Sequence, residues 1–327
     1  MPRNSGSSNR ARCKSRKTLK YDDMKKALLL MAVSLLAVTA AAGQKTVRPE
    51  AFRLGGYEIY VLTENAGEGS TGILIDAPES VLREYAPGGT FPNAVNAVLV
   101  RGKGKVWLID TGFGRHIFDM MAGLGISPGD VDYVLLTHMH GDHTGGMFRN
   151  GAKAFPNAEV VVSQKEYDYW SSRAEMEKLP ENRRGNFVSA QKIFTEYGER
   201  LKTVDPYRIG NNLPEGISPV AAYGHTPGHI MFMVRDGREQ LLVWGDLTHA
   251  LAVQMPHPEI SVTYDTDPEM ARQSRMEVLR HIAEKDSHRL VRNIPVVGMH
   301  IPAVYPGRVY GHGNGDSYEF VVLPMSE

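Results

Sequence analysis

Cysteine is almost absent from this chain, whose 327 residues include only Cys13. A disulfide needs two cysteines, and a thiolate ligand needs one near the site it serves. Cys13 lies in the basic N-terminal segment described below, so the rest of the chain has neither. Any metal bound there must be held by imidazole and carboxylate side chains.

A surplus of positive charge is also lacking. The chain has 37 Lys and Arg against 37 Asp and Glu. Residues 1–26 carry nine of the basic residues and two of the acidic ones, which leaves 28 basic and 35 acidic, or a net charge of −7, for the remainder. A nucleic-acid binder carries a basic patch or stripe. We therefore expect no nucleic-acid partner and a small-molecule substrate instead.

Long apolar runs are also scarce. The longest, residues 27–42, has 16 residues, and a spanning helix needs roughly 17–25. The run follows Lys25 and Lys26 and ends in Ala40-Ala41-Ala42-Gly43, which together form the three parts of a secretory signal peptide. Residues 1–43 are thus predicted to be a cleaved leader, with Met24 an alternative start. An uncleaved anchor and a buried helix are the alternatives.

The body, residues 44–327, is predicted to be one domain, periplasmic or secreted, with no stable membrane association after cleavage and with a homo-oligomer left open. Strands and helices mix in it without a regular βαβ rhythm, which favours an α+β fold of two mixed sheets covered by helices over a doubly wound sheet. Predicted strands cover residues 57–62, 72–75, 94–100, 105–110, 131–136, 217–223, 229–234, 240–244 and 294–298, and predicted helices cover 117–124, 163–198 and 268–283.

Residues 137–143 hold three imidazoles and a carboxylate: His138, His140, Asp142 and His143. They follow the predicted buried strand 131–136 and precede two glycines that permit a tight bend. Imidazole binds zinc, copper, iron and nickel, and carboxylates accept most divalent ions. His138 and His140 share a face in extended backbone. This segment is therefore predicted to be the centre of a metal site.

Three later residues, His225, Asp246 and His300, each follow a predicted strand and precede or occupy a turn, so they are candidates for the same sheet edge. A lone histidine such as His300 is more often a surface residue than a ligand. His229 is expected to be structural or to support a ligand. The remaining histidines have no partner that the sequence indicates: His116, His249, His257, His281, His288 and His312.

The order His-x-His-x-Asp-His, His, Asp, His resembles the metallo-β-lactamase fold superfamily over residues 55–305. The resemblance implies an αββα sandwich with two divalent metal ions, zinc being expected, at one edge. By position, His138, His140 and His225 would hold one ion. Asp142, His143 and His300 would hold the second, and Asp246 would bridge them. Asp110 would accept a hydrogen bond from a ligand imidazole.

Within that superfamily, the 93–112 hairpin and segments 241–249, 252–255 and 262–265 are similar to the branch of methyl parathion hydrolase and the acyl-homoserine lactone lactonases. The resemblance implies a hydrolase in which a hydroxide shared by the two metals, held with Asp142 and Asp246, attacks a small uncharged lactone, ester or phosphotriester. The alternatives are a mononuclear iron oxidoreductase needing only four of these ligands and a secreted non-catalytic binding protein. Four aromatic residues are candidates for either an apolar pocket or the core: Phe91, Phe148, Trp170 and Phe187.

The leader gives the first testable prediction. The full-length chain, expressed in a host that exports it, should lose the leader. Its basic, apolar and small-residue parts match the pattern that signal peptidase recognises and cleaves. N-terminal sequencing of the exported protein should begin near Gly43 or Gln44. Soluble cytoplasmic protein that begins at residue 1 or 24 would contradict the prediction.

Overall fold

The computed structural model describes residues 49–211, 213–283, 294–312 and 317–325. The predicted leader and His288 lie outside these residues, so the structure does not bear on them. Among the helices within the described ranges, none combines the length and the apolar character that a membrane crossing requires.

The first sheet has seven strands in the order β1-β2-β3-β4-β5-β8-β9, antiparallel from β1 to β4 and parallel from β4 onward. The turn between β3 and β4 is a two-residue loop, Lys103-Gly104, in which both φ angles are positive, at 51° and 73°. Such turns match the twist of a hairpin. The strands are β1 Ala51–Leu54, β2 Tyr57–Ser70, β3 Thr90–Gly102, β4 Lys105–Ile109, β5 Tyr133–Leu135, β8 Glu159–Ser163 and β9 Leu201–Val204.

The second sheet has six strands in sequential order, and only the pair β12 and β13 is parallel. A separate two-stranded hairpin, β6 Phe148–Arg149 and β7 Ala152–Lys153, follows the histidine segment. The six strands are β10 Ile217–Ala221, β11 Ile230–Asp236, β12 Glu239–Val243, β13 Val296–Val297, β14 Gly307–His312 and β15 Ser317–Val322.

The two sheets pack face to face. Successive residues of a strand point to opposite faces, and in these strands the residues on both faces are apolar. In β3, Val98 and Val100 belong to the core between the sheets, whereas Leu99 faces the other way. In β11, Phe232 faces the other sheet and Met233 the opposite side. Strands buried on both faces need a further layer outside each sheet.

Helices supply those outer layers. Apolar residues of α2 and α6, among them Met121 and Phe187, cover the first sheet, and Leu279 and Ile282 of α8 cover the second. The predicted αββα sandwich is therefore confirmed. The helices are α1 Glu79–Tyr85, α2 Ile117–Gly123, α3 Gly141–Thr144, α4 Gln164–Ser171, α5 Arg173–Glu177, α6 Gly185–Tyr197, α7 Leu251–Gln254 and α8 Pro268–Ala283.

Two local predictions fared differently. The helix at 268–283 is confirmed at both ends. The strand at 72–75 is wrong: Thr71–Ile73 is a short 3₁₀ helix, capped by the Ser70 hydroxyl, which accepts from the Gly72 amide. A short apolar run does not distinguish the two structures, and the capping serine decides between them.

Phe232 tests the inter-sheet core. It is fully buried, so Phe232→Ala should lower the free energy of unfolding by about 3–5 kcal/mol, from lost transfer energy and the cavity left behind. Val322→Ala, at a side chain 48% exposed on an edge strand, should change it by less than about 0.5 kcal/mol. Denaturant titration in the presence of a chelator measures both, and equal losses would contradict this packing.

Candidate metal centre

All the predicted ligands lie at one edge of the sandwich, because each follows a strand that ends there. Parallel strands β4 and β5 end at Ile109 and Leu135, just before Asp110 and the 137–143 segment. In the other sheet, parallel strands β12 and β13 end just before Asp246 and His300. His225 lies in the turn that leads into β11, where the Ile230 amide donates to the Thr137 carbonyl. The fold thus brings the four segments together.

The first ligand set consists of His138, His140, His225 and Asp246. The His140 Nδ1 atom is 3.0 Å from both His138 Nε2 and His225 Nε2, and those two Nε2 atoms are 3.2 Å apart. One oxygen of Asp246, Oδ2, lies 3.3 Å from His225 Nε2 and 3.7 Å from His138 Nε2. Four ligand atoms therefore surround one point.

The opposite ring nitrogens fix how these imidazoles are protonated. The Thr137 hydroxyl donates to Asp110, so it accepts from His138 Nδ1 at 3.1 Å. His225 Nδ1 lies 2.9 Å from the Asp265 carboxylate and donates to it. A neutral imidazole has one N–H and one lone pair, so both Nε2 atoms direct lone pairs at each other. A positive charge between the two atoms, either a metal ion or a proton, makes that arrangement favourable.

The spacing of the four atoms fits such a cation. Zinc bonds imidazole nitrogen at about 2.0–2.1 Å in a tetrahedral site, which places its ligand atoms about 3.3 Å from one another. The distances between neighbouring ligand atoms of this set lie between 3.0 and 3.7 Å. The donor set and its dimensions therefore suit a divalent ion of the zinc type.

The second ligand set consists of Asp142, His143 and His300. His300 Nε2 lies 3.4 Å from Asp142 Oδ2 and 3.2 Å from Asp246 Oδ2, and His143 Nε2 lies 3.2 Å from Asp246 Oδ1. Although these two atoms are buried and lie close together, neither forms a hydrogen bond with any residue in the described ranges. Buried polar atoms are normally satisfied, and a second cation would satisfy both. Asp246 lies between the two sets.

Two buried carboxylates orient ligand imidazoles from outside. The Oδ2 atom of Asp110 is 2.7 Å from His143 Nδ1, and Asp110 also accepts from the Thr137 amide and hydroxyl. The backbone of Asp110 has a φ of 56°, which is rare for a residue other than glycine. Asp265 contacts His225 Nδ1 in the same way and accepts from the Val262 amide. Such partners fix the tautomer and direction of a ligand.

Sequence reasoning missed Asp265 and was wrong about His249. His249 Nε2 lies 3.1 Å from Asp246 Oδ2, and its ring stacks on that of His300 with centroids 4.8 Å apart. Asp246, His249 and His300 form a third group that is able to hold an ion. The spacing Asp246-x-x-His249 was the available signal. Asp265 gave none, because it lies 40 residues from the histidine it contacts.

His229 is structural, as expected: its Nδ1 donates to the Ala222 carbonyl at 2.9 Å, and its Nε2 accepts from the Asp246 amide at 3.0 Å. Among the candidate pocket aromatics, Trp170 lies nearest the ligands, with its ring centroid 5.8 Å from that of His140. Phe187 and Phe91 are core residues, and Phe148 packs at the edge of the core.

Burial and charge divide the imidazoles of the metal-free protein into two groups. Burial lowers the pKa of His138 well below its usual range and that of His140 to about 3. Burial opposes protonation of His225 and His300 as well, but the carboxylates beside them, Asp246 foremost, raise their pKa values to about 9 and 10. Protons thus occupy the centre near neutral pH, and a binding metal ion must displace them.

Comparison with known proteins agrees with this geometry. The sequence profile of the Metallo-beta-lactamase superfamily matches residues 90–292, and the chain belongs to that superfamily. N-acyl homoserine lactonase AttM of Azorhizobium caulinodans is 34% identical over 123 residues, which are 34% of this chain and 39% of the lactonase. AttM of Agrobacterium fabrum is 30% identical over 130 residues, 36% of this chain and 41% of its own length. The matches therefore span about two fifths of these relatives.

Solved structures share the fold over most of the chain. The hydrolase AbOPH of the beta lactamase superfamily superimposes with a TM-score of 0.74 at 26% identity, covering 88% of this chain and all, 100%, of its own. AidC, a dizinc quorum-quenching lactonase, gives a TM-score of 0.74 at 24% identity and covers 85% and 98%. The second likeness concerns the fold alone.

The neutral state of His229 gives a pH prediction for the metal-free protein. Burial lowers the pKa of His229 to about 3, against about 6.5 in an unfolded chain. Between about pH 4 and 6 the unfolded state therefore binds one more proton here. The free energy of unfolding that the neutral His229 contributes is fully present above pH 6.5 and is lost as the pH falls toward 3.

His229→Gln removes the side chain that binds this additional proton in the unfolded state. With chelator present, the slope of unfolding free energy against pH should become shallower by about 1.4 kcal/mol per pH unit between pH 4 and 6. Denaturant titrations at several pH values measure the slope. A slope equal to that of the unsubstituted protein would show that His229 is protonated in the folded state.

Proposed function

We propose that this protein is a dinuclear metal-dependent hydrolase, with zinc at both positions. The observation that carries the proposal is the shared carboxylate of Asp246. It contacts ligands of both sets, and two buried atoms, His143 Nε2 of the second set and Asp246 Oδ1, lie 3.2 Å apart without a hydrogen bond to any group in the described residues. Two ions at such a centre supply an activated water nucleophile and a Lewis acid for a carbonyl or phosphoryl oxygen.

The chain's own residues divide the work. His138, His140 and His225 would hold one ion, Asp142, His143 and His300 the other, and Asp246 both. Asp110 and Asp265 keep His143 and His225 aimed inward through their Nδ1 hydrogen bonds. His138 and His143 are fully buried, whereas His140 and Asp142 are partly exposed. The centre therefore opens to solvent on the His140 and Asp142 side, and substrate would enter there.

We propose lactones as the first substrate class, with carboxylic esters and phosphotriesters as further candidates. The support is the identity to N-acyl homoserine lactonases and the net charge of −7 over residues 27–327, which disfavours an anionic substrate. Tyr264 is 54% exposed, and its ring centroid lies 5.8 Å from that of His249. It therefore provides an aromatic surface beside the ligands for an apolar part of the substrate.

The geometry disfavours the two alternatives. A mononuclear iron oxidoreductase would use His138, His140, His225 and Asp246 and would leave Asp142, His143 and His300 without a role, yet these three converge around a second point. A binding protein has no need for two ligand sets supported by buried carboxylates. Metal analysis separates one iron from two zinc ions, and turnover separates an enzyme from a binding protein.

Ligand substitutions test the proposal. His140→Ala and Asp246→Ala should abolish turnover and reduce bound metal, because each removes a ligand of the first set. Asp110→Asn and Asp265→Asn should lower metal affinity or activity by about 10–100-fold, the usual effect of losing a ligand's outer partner. Elemental analysis and turnover on lactones, aryl esters, phosphotriesters and β-lactams are the measurements.

His300→Ala tests the second set by itself. One of two bound ions should be lost, together with most of the turnover. If that variant retained both the stoichiometry and the rate of the unsubstituted protein, the dinuclear assignment would be wrong. His257→Ala, at a partly exposed histidine paired with Glu259, is the control and should change neither.

A further inference from the structure

Glu166 is a fully buried carboxylate that the proposed chemistry does not use. Glu166 lies in α4. Its side chain forms hydrogen bonds with residues that lie near the proposed ligands in the sequence, and not with the ligand side chains themselves. No Lys or Arg within the described ranges forms an ion pair with it. A buried charge without a counter-ion is costly unless several donors satisfy it. Glu166 therefore requires a structural explanation.

Its two oxygens accept from two different ligand-bearing loops. Oε1 accepts from the Met139 amide at 2.9 Å, and Met139 lies between the ligands His138 and His140. Oε2 accepts from the Thr226 hydroxyl at 2.7 Å and the Gly228 amide at 3.0 Å, in the turn that begins at His225. The indole N–H of Trp170 completes the set on Oε1 at 2.5 Å.

The start of α4 contacts the same turn. Ser163, which caps the helix, accepts from the Glu166 amide at 3.1 Å and donates to the Gly228 carbonyl at 2.5 Å. A β-carbon on Gly228 would lie 2.1 Å from the Glu166 amide nitrogen, so the turn approaches the helix as closely as only glycine permits. Helix start and turn are thus fixed to each other.

We propose that Glu166 is a positioning residue that sets the separation between the His138–His140 loop and the His225 turn, and hence the dimensions of the first metal site. The proposal rests on the function proposed above. The three ring nitrogens of that site lie within 3.2 Å of one another, and one carboxylate joins the backbones that carry them. Among the hydrogen bonds of the described residues, none joins Glu166 to Asp142, His143 or His300, so the first site should lose more zinc affinity than the second.

Glu166→Gln is the informative substitution because every partner of Glu166 is a donor. A glutamine amide accepts at its oxygen only, so its NH₂ group must face either the Met139 side or the Gly228 side. The loop on that side then loses its hydrogen bond to residue 166, while the volume of the side chain stays nearly the same. Zinc affinity of one of the two sites should fall about 10–100-fold. The visible absorption of the cobalt-substituted protein should also change, since it reports coordination geometry.

Glu64→Gln is the matched control. Glu64 is also a buried carboxylate, and it accepts from the amides of Arg115, His116 and Ile117 at the start of α2. None of these residues is next to a proposed ligand. Both variants should unfold at lower denaturant concentration when metal-free. Only Glu166→Gln should lower the affinity for zinc, measured by competition with a chelator, and alter the absorption spectrum of the cobalt-substituted protein.

The outcomes separate this proposal from the proposed function. If the unsubstituted protein binds two zinc ions and Glu166→Gln binds both with unchanged affinity and cobalt spectrum, Glu166 is only structural and the hydrolase proposal stands. If the unsubstituted protein binds no zinc, the proposed function fails and this proposal with it. Should Glu166→Gln not fold, Ser163→Ala decides: a weaker first site supports the proposal, and an unchanged one overturns it.

Discussion

The carboxylate of Asp246 is the point on which the rest of the centre depends. It is 3% exposed, and its oxygens lie between 3.1 and 3.7 Å from ring nitrogens of five histidines: His138, His143, His225, His249 and His300. These side chains come from four separate loops, which meet at this one carboxylate. The pKa of Asp246 is far below its usual range, because the charge of His143 and of the other imidazoles outweighs the effect of burial. The edge of the sandwich is therefore arranged around a permanent negative charge.

Backbone and carboxylate acceptors outside this centre keep the rings directed at it. Asp110 and Asp265 hold two of them, and the Ala94 carbonyl accepts from His300 Nδ1 at 2.8 Å. The helical layers contribute buried charges that bond to backbone instead of to each other. Arg275 of α8 donates to the carbonyls of Leu247, Pro258 and Ile260 and so fixes the segment that follows Asp246. In the other helical layer, Glu166 of α4 accepts from the backbone amides of Met139 and Gly228. Both outer layers therefore help to set the ligand positions.

The sequence predicts what is local. Alternating apolar residues predict most strands of the sandwich, and the cluster at 138–143 predicts the centre because its members lie within six residues. The role of each ligand, by contrast, came from the resemblance to a family. Contacts such as those of Asp265 with His225 and Glu166 with Thr226, 40 and 60 residues apart, leave no local pattern. The short 3₁₀ helix at Thr71–Ile73 was missed for a different reason, since a side-chain cap overrode a strand-like composition.

The central claim is that Asp246 joins two metal ions, and crystallography at the zinc absorption edge tests it most directly. Crystals of the zinc-loaded protein should give two anomalous peaks about 3.5–4 Å apart, the separation typical of two-metal hydrolytic sites. Asp246 should lie between them, His138, His140 and His225 around one peak, and Asp142, His143 and His300 around the other. A single peak within the first ligand set, with His143 and His300 bonded only to protein or water, would contradict the account.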